Sequence, residues 1–256
     1  MIVYPNAKIN IGLNVLEKRA DEYHEISSVF YPVKQLFDML EILPADNFSF
    51  SSSGISIPGG SNICTKAFDL LKADYDVGNV KIHLHKMIPI GAGLGGGSAD
   101  GAFILKALNE LFELNLTNNQ LEKYALKLGA DCPFFIENTP KYVTGIGEKM
   151  TAIDLDLSDY EIKFIFPDLH ISTAEAYGGV TPDIPEHNLL DAIKLPLENW
   201  KEEVQNDFEV SAFAKYPQLA KMKAKLFADG AIFASMTGSG SVIYGVLRKK
   251  KSPPIR

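Results

Sequence analysis

The sequence predicts an α+β protein of two lobes. Three observations carry that expectation. Some stretches alternate apolar and polar residues with the period of a strand, and others repeat apolar residues at helical spacing. The two kinds are mixed without strict βαβ alternation, which disfavours a doubly wound sheet. Past about residue 150 the pattern restarts, so a boundary is expected within TGIGEKMTAIDLDLSD, dividing 1–152 from 153–256.

In chain order, AKINIGLNV is the clearest strand. Ile9, Ile11, Leu13 and Val15 are expected on one face, with Lys8, Asn10, Gly12 and Asn14 on the other, giving a half-buried strand. EISSVFYPV and DMLEILP read as further strands, and SFSSSGISIPGG as a polar, glycine-rich connection. NICTKAFDLLKADY reads as a helix burying Ile63, Ala67, Leu70 and Leu71, and VKIHLHKMIP as a strand. A helix should begin close to Ser98, since Ile104, Leu105, Leu108, Leu111 and Phe112 recur at its spacing. Thr117 with Gln120 forms a capping-box signature for the next helix, which Gly129 should end. ADCPFFI places an aspartate at the mouth of an expected strand. Beyond the boundary, YEIKFIFP reads as a strand and STAEAYGG as a short helix or loop. LENWKEEVQNDFEV and PQLAKMKAKLFADG read as amphipathic helices, and AIFASMTGSGSVIYGVL as two strands around a glycine turn.

The formal net charge of −7 argues against a broad basic face, so neither nucleic acid nor an anionic membrane is an expected partner. An anionic ligand has to be held by a local device. The basic run Arg248–Lys251 reads as a solvated tail. Two cysteines, Cys64 and Cys132, make no disulfide framework and match no zinc spacing; they are expected as buried small apolar residues. MIVYPNAKIN lacks the pattern of a signal peptide, and no stretch approaches the about 20 apolar residues of a membrane span. A cytoplasmic location is expected.

The segment PIGAGLGGGSADGA holds five glycines between Gly91 and Gly97. A P-loop is excluded because no Gly-Lys pair occurs in the chain. GAGLGG matches GxGxxG literally, but the acidic strand end that a dinucleotide fold places about 20 residues on is replaced by the helical ALNELFELNL. A protein-kinase loop would continue into a strand, whereas this one enters a helix. What remains is strand, glycine loop and helix start. Missing Cβ atoms expose backbone N–H groups, and the helix start adds unpaired donors and its positive dipole end. That combination suits a polyphosphate. A tight loop that needs glycine for close packing is the competing structural reading. Ser98 either caps the helix or offers its hydroxyl to a phosphate or Mg²⁺.

PIGAGLGGGSADGA resembles the second motif of the galactokinase, homoserine kinase, mevalonate kinase and phosphomevalonate kinase superfamily, the GHMP kinases. YPNAKINIGLNVLEKRADEYHEISSVF is similar to the first motif of that family, and LGADCPFF and TGSGSVIY to its later ones. The blocks run in the family's order from about residue 4 to residue 245. The resemblance implies an N-terminal lobe like the ribosomal protein S5 domain 2 and a ferredoxin-like C-terminal lobe. It implies an ATP- and Mg²⁺-dependent small-molecule kinase, most similar to the branch that phosphorylates the 2-hydroxyl of 4-diphosphocytidyl-2-C-methyl-D-erythritol in non-mevalonate isoprenoid (terpenoid) biosynthesis. Two departures stand out. Glu22 occupies a position the family gives to glycine, at a cost of about 1 kcal/mol if φ is positive there. Gly101 stands where alanine is usual, at a helical cost of about 1 kcal/mol.

Read alone, Lys8 is a solvated strand lysine and Asp131 a helix-exit residue. The resemblance makes them the catalytic pair, with Asp131 taking the proton of the attacking hydroxyl and Lys8 offsetting charge on the phosphoryl oxygens. It assigns ATP to Pro89, Ile90, Gly91, Ala92, Gly93, Leu94, Gly95, Gly96, Gly97, Ser98 and Ala99, with Lys86 and Asn62 beside the adenosine. It places the cytidine end near Tyr23, His24, Thr173 and Tyr177, and the rest of the substrate near Asn10, Thr237 and Gly238. Ser98 is the one candidate metal contact. For Tyr177 the competing reading is interface packing, for His24 a structural hydrogen bond, and for Thr237–Gly240 simple hairpin geometry. His83, His85, His170 and His187 are expected to be structural or surface residues. Two rival functions stay open: a sibling kinase for an uncharged alcohol such as homoserine, and a catalytically silent nucleotide-binding protein.

Overall fold

The computed structural model describes residues 1–58 and 62–249. The elements in order are β1 (Ile2–Val3), β2 (Asn6–Lys18), β3 (His24–Phe37), β4 (Met39–Pro44), β5 (Ser49–Gly54), α1 (Ile63–Asp74), β6 (Val80–Lys86), α2 (Gly96–Leu111), α3 (Asn118–Leu128), α4 (Phe134–Glu137), β7 (Lys141–Gly145) and β8 (Lys149–Ala152). They continue with β9 (Tyr160–Ile165), α5 (Thr173–Gly178), α6 (Leu189–Ala192), a 3₁₀ turn (Leu197–Asn199), α7 (Trp200–Glu203), α8 (Phe208–Lys215), α9 (Pro217–Ala228), β10 (Phe233–Met236) and β11 (Ile243–Arg248). Three sheets form, in strand orders β1-β4-β6-β5, β2-β3-β7-β8 and β10-β11-β9. All pairings are antiparallel except β5 with β6. Among the described residues no helix is long and apolar enough to cross a membrane.

Strand β2 is buried on both faces from Asn6 to Val15, not half-buried as its alternation suggests. Ala7, Ile9 and Ile11 enter one core with Val29, Trp200 and Tyr244. At Gly12 the register against β3 shifts, and Leu13 and Val15 join a different core with Phe208 and Met236. The four apolar residues therefore serve two cores. The polar residues Lys8 and Asn10 are covered instead of solvated, at 4% and 2% exposure.

Three further expectations are corrected. Ser49–Gly54 is a strand, not a connection; Gly59 and Gly60 beyond it lie outside the described residues. Its serines gain cross-strand bonds, Ser51 Oγ to His83 Nδ1 and Ser53 Oγ to His85 Nδ1, each 2.9 Å. The apolar run CPFFI is not a strand but the turn and helix that end at Glu137, with Phe134 and Phe135 fully buried. LENWKEEVQNDFEV is not one helix. Leu13 donates to Gln205 O, Asp207 N donates to Leu13 O, and Val15 N donates to the Asp207 carboxylate at 2.8 Å. Pairing with β2 thus replaces helical bonds over Gln205–Asp207 and splits the segment into α7 and α8. Of the basic run, Arg248 pairs with Glu198 at 2.5 Å; residues 250 and 251 lie outside the described residues.

The first lobe packs α1, α2 and α3 behind the sheet containing β6. Asn62 caps α1, accepting from Thr65 N at 2.9 Å. Thr117 and Gln120 form the expected capping box of α3, and Gly129 ends it with φ 166, extended and not left-handed. Gly101 has a packing reason: a Cβ there would lie 2.8 Å from Ile63 Cγ1 and 3.1 Å from Leu128 Cδ1. Under the start of α2, Lys86 Nζ bonds to Asp38 Oδ2 at 2.5 Å and Asp100 Oδ2 at 2.7 Å, all three residues at 3% exposure or less. Asp38 also accepts from Met87 N and Ile88 N, tying the strand exit to β4. Burial, with help from the Asp38 charge and against the pull of Lys86, pushes the Asp100 carboxyl up to about 7.

Two predictions arise here. Gly101→Ala should gain about 1 kcal/mol of helix propensity but lose about 1–3 kcal/mol to overpacking. The net is a fall in Tm of about 2–4 °C, measurable by calorimetry; a rise would remove the packing reason. For Asp100, the folded carboxyl keeps its proton up to about pH 7, whereas the unfolded chain loses it near the ordinary value of 3.8. The stabilisation that goes with proton uptake is complete below that lower value and is lost as pH rises through about 7. Relative to Asp100→Asn, the parent chain should therefore lose denaturant stability between about pH 4 and about pH 7. Parallel profiles for the two would refute the raised value.

Candidate active site

The glycine loop leaves β6, passes Gly91, Gly93 and Gly95 with positive φ, and enters α2. Gly95 is the N-cap and makes no side-chain cap bond. Ser98 is not the cap; it lies inside the first turn, beside Cys132. The first N–H groups of α2 are thus left to a ligand, the arrangement that binds anions at helix starts. Gly93 is required sterically. A Cβ there would sit 2.1 Å from the carbonyl oxygen of Thr237.

Two cavities flank this loop. One, of about 430 Å³, is lined by Asn62, Cys64, Lys86, Asp100 and the loop from Pro89 to Ser98. The other, of about 660 Å³, is lined by Lys8, Asn10, Asp131, Tyr23, His24 and Tyr177 among others. Gly91, Gly93 and Gly95 border both. A phosphate chain lying on the loop would therefore end at the second cavity.

Lys8 and Asp131 meet at that end. Lys8 Nζ is 3.4 Å from Asp131 Oδ2 and donates to Asn10 Oδ1 at 2.6 Å, while lying 4.1 Å from the Phe30 ring centre. The Lys8 side chain is 5% exposed and that of Asp131 34%, so the carboxylate is open to a substrate while its partner is held. Asn10 Nδ2 donates to Ser28 Oγ at 2.9 Å. Burial pushes the Cys132 thiol, next in sequence, up to about 11, with the Ser98 hydroxyl pulling the other way.

The far end of the cleft carries Tyr23, His24, Thr173 and Tyr177. His24 stacks on Tyr177 with ring centres 4.7 Å apart and 21° between planes. Tyr23 stands 59% exposed at the rim, while His24 and Tyr177 line the cleft as a stacked pair. Burial, then the charge of Asp131, raises the Tyr177 hydroxyl. Glu22 does take φ 69. Its exposed ion pair with Lys18 at 2.6 Å offsets little of the about 1 kcal/mol cost.

Some expected site residues sit elsewhere. Lys86 borders the smaller cavity, but its ammonium is taken by Asp38 and Asp100. Ala99 is fully buried behind the loop. Thr237 is also fully buried: its hydroxyl accepts from Asn10 N and donates to Gly93 O, each at 3.0 Å, while Gly238 and Ser239 line the cleft. His170, expected to be structural or superficial, lines the cleft against Gly91. Its place three residues before Thr173 was the available signal.

The chain matches the GHMP kinases N terminal domain over residues 62–138 and the GHMP kinases C terminal model over residues 187–255. It is 47% identical to a 4-diphosphocytidyl-2-C-methyl-D-erythritol kinase of Parabacteroides distasonis over 97% of this chain and 92% of that one. It is likewise 47% identical to the same kinase of Cytophaga hutchinsonii over 98% and 93%. A crystal structure of 4-(cytidine 5'-diphospho)-2C-methyl-D-erythritol kinase superposes with TM-score 0.81 and 33% identity, covering 96% of this chain and 90% of that one. A homoserine kinase from Cytophaga hutchinsonii shares the fold, with TM-score 0.66 and 15% identity over 96% of this chain and 86% of its own. With both domain models matched and near-complete relatives at this identity, the chain belongs to the GHMP kinase family, among its 4-diphosphocytidyl-2-C-methyl-D-erythritol kinases.

Proposed function

We propose that the chain transfers the γ-phosphoryl group of ATP to the 2-hydroxyl of 4-diphosphocytidyl-2-C-methyl-D-erythritol, a step toward isoprenoid precursors. The observation that carries the reading is the Lys8–Asp131 pair, set in the larger cavity where the glycine loop separates it from the smaller one. The names of the nearly full-length relatives agree with it. The silent-protein reading has no such support, since both members of the pair are present and one is open to substrate.

Adenosine occupies the smaller cavity beside Asn62, and the polyphosphate lies along Gly91–Ser98 with its anionic oxygens on the N–H groups that open α2. Residues 1–152 supply these contacts, and residues 153–256 complete the acceptor cleft through Thr173, Tyr177 and Gly238. The acceptor hydroxyl donates to an Asp131 carboxylate oxygen, which takes its proton as the oxygen attacks phosphorus. The Lys8 ammonium, aimed by Asn10, offsets negative charge on the transferring phosphoryl group and on Asp131. Among the described residues no three His, Cys, Asp or Glu side chains converge as a metal cage. A Mg²⁺ ion held mainly by nucleotide phosphates and waters fits this donor set, with the Ser98 hydroxyl its protein contact. Such an ion would neutralise charge on the β- and γ-phosphates.

ADP release with ATP and Mg²⁺ should appear with the cytidyl acceptor and be absent with homoserine, mevalonate or no acceptor. Turnover with another alcohol would keep the kinase and discard this acceptor. Asp131→Asn should lower kcat by about 10²–10⁴-fold, the usual value of a general base, with the KM of both substrates nearly unchanged. Full activity in that variant would remove Asp131 from the mechanism.

A further inference from the structure

The acceptor cleft has a reactive end at Lys8 and Asp131 and a base end at Tyr23, His24 and Tyr177. An acceptor with its cytosine at one end and its hydroxyl at the other must lay its diphosphate along the wall between them. That wall is built from His170–Ala174, Gly238 and Ser239 facing the glycine loop. The overall charge of −7 does nothing to attract a diphosphate, so the wall needs local donors.

Few are available. Lys8 is committed to Asn10 and Asp131. The Ser172 hydroxyl accepts from Glu175 N as the cap of α5. Glu175, the acid of that helix, is itself occupied by Lys215 and Tyr216, each at 2.8 Å. His170 is the one basic side chain on this wall among the described residues, and its ring has no hydrogen-bond partner there. The ring packs where a side chain on Gly91 would point, with Cε1 2.8 Å and Nδ1 3.2 Å from the position of a Cβ. The absence of a side chain at Gly91 thus admits an imidazole against the loop, on the acceptor-cavity side.

We propose that His170 donates a hydrogen bond to the diphosphate of the acceptor and so selects a phosphorylated acceptor over an uncharged alcohol. This rests on the cytidyl-diphosphate reading given above. The contact is to the acceptor, not to ATP, because His170 lines the acceptor cavity and not the nucleotide one. Its loss leaves the Lys8–Asp131 chemistry in place, so the effect falls on acceptor binding and not on kcat.

The test is titration calorimetry of the full chain, saturated with a non-hydrolysable ATP analogue, against cytidine, CMP and CDP. The parent chain should bind CDP at least about tenfold more tightly than cytidine, as one hydrogen bond to a charged group implies. His170→Ala should lose most of that gain while its cytidine affinity stays unchanged, and His170→Lys should keep it. In steady state, His170→Ala should raise the acceptor KM about tenfold with kcat and the ATP KM unchanged. An unaltered CDP-to-cytidine ratio in His170→Ala, an equal loss for both ligands, or a rise in the ATP KM alone would overturn the proposal. If neither cytidine nor CDP binds the parent chain while the ATP analogue does, the cytidyl reading itself falls, and the His170 assignment falls with it.

Discussion

Backbone meets backbone at Gly93, and the rest of the site is hung on that contact. With the carbonyl of Thr237 only 2.1 Å from where a Cβ would be, no other residue lets the loop lie there. The Thr237 hydroxyl closes the joint by donating to Gly93 O and accepting from Asn10 N. Tyr244 Oη donates to Asn10 O from the neighbouring strand, and the Asn10 side chain aims Lys8. One hydroxyl thereby registers the glycine loop, strand β2 and the β10–β11 turn against each other. Every polar group in this chain of bonds has a partner, which is the condition under which a buried network specifies a single arrangement.

Two buried lysines in the same lobe show how environment divides labour. Lys86 sits between Asp38 and Asp100, at 0% and 2% exposure, so its charge is met inside the protein and serves to pin the loop from below. Lys8 has one carboxylate partner, and that partner is one-third exposed. The Asp131 carboxylate is therefore reachable from the cleft, while Lys8 is held in place by Asn10. Breaking the Lys86 cluster would strand buried charge, a cost of about 3–5 kcal/mol that falls on folding and not on chemistry.

Much of this was legible from residue spacing. The strand at Lys8–Asn10, the loop, the capping box of Thr117 and Gln120, and the loop-to-helix junction all follow from local patterns that local physics enforces. What failed to read out was tertiary. Ser49–Gly54 has no apolar alternation because its outer face is wet and its order comes from pairing with β6. The run CPFFI is buried on every side, so its periodicity could not tell helix from strand. The break in LENWKEEVQNDFEV depends on β2, nearly 200 residues away in sequence. Lys86 and Thr237 were assigned by type and position, whereas their places follow from the partners that had already claimed them.

The two ends of the acceptor cleft are built differently, and the difference bears on selectivity. At the Lys8–Asp131 end the lysine is buried, bonded to Asn10 and joined through it to the loop, so its position is set by the fold. The base end stands on the β2–β3 turn, where Tyr23 is exposed and Glu22 carries left-handed backbone. The cost of about 1 kcal/mol at Glu22 is small beside total stability, and the turn keeps the left-handed conformation that glycine would take there. Tyr23 and His24 therefore still border the cleft, and the departure from glycine spares the site. His24 and Tyr177 already stack on each other at this end, and both rings line the cleft. Under the proposed reaction, binding at this aromatic end is separate from the Lys8–Asp131 pair, so contacts far from the reacting oxygen can position the acceptor without altering that pair.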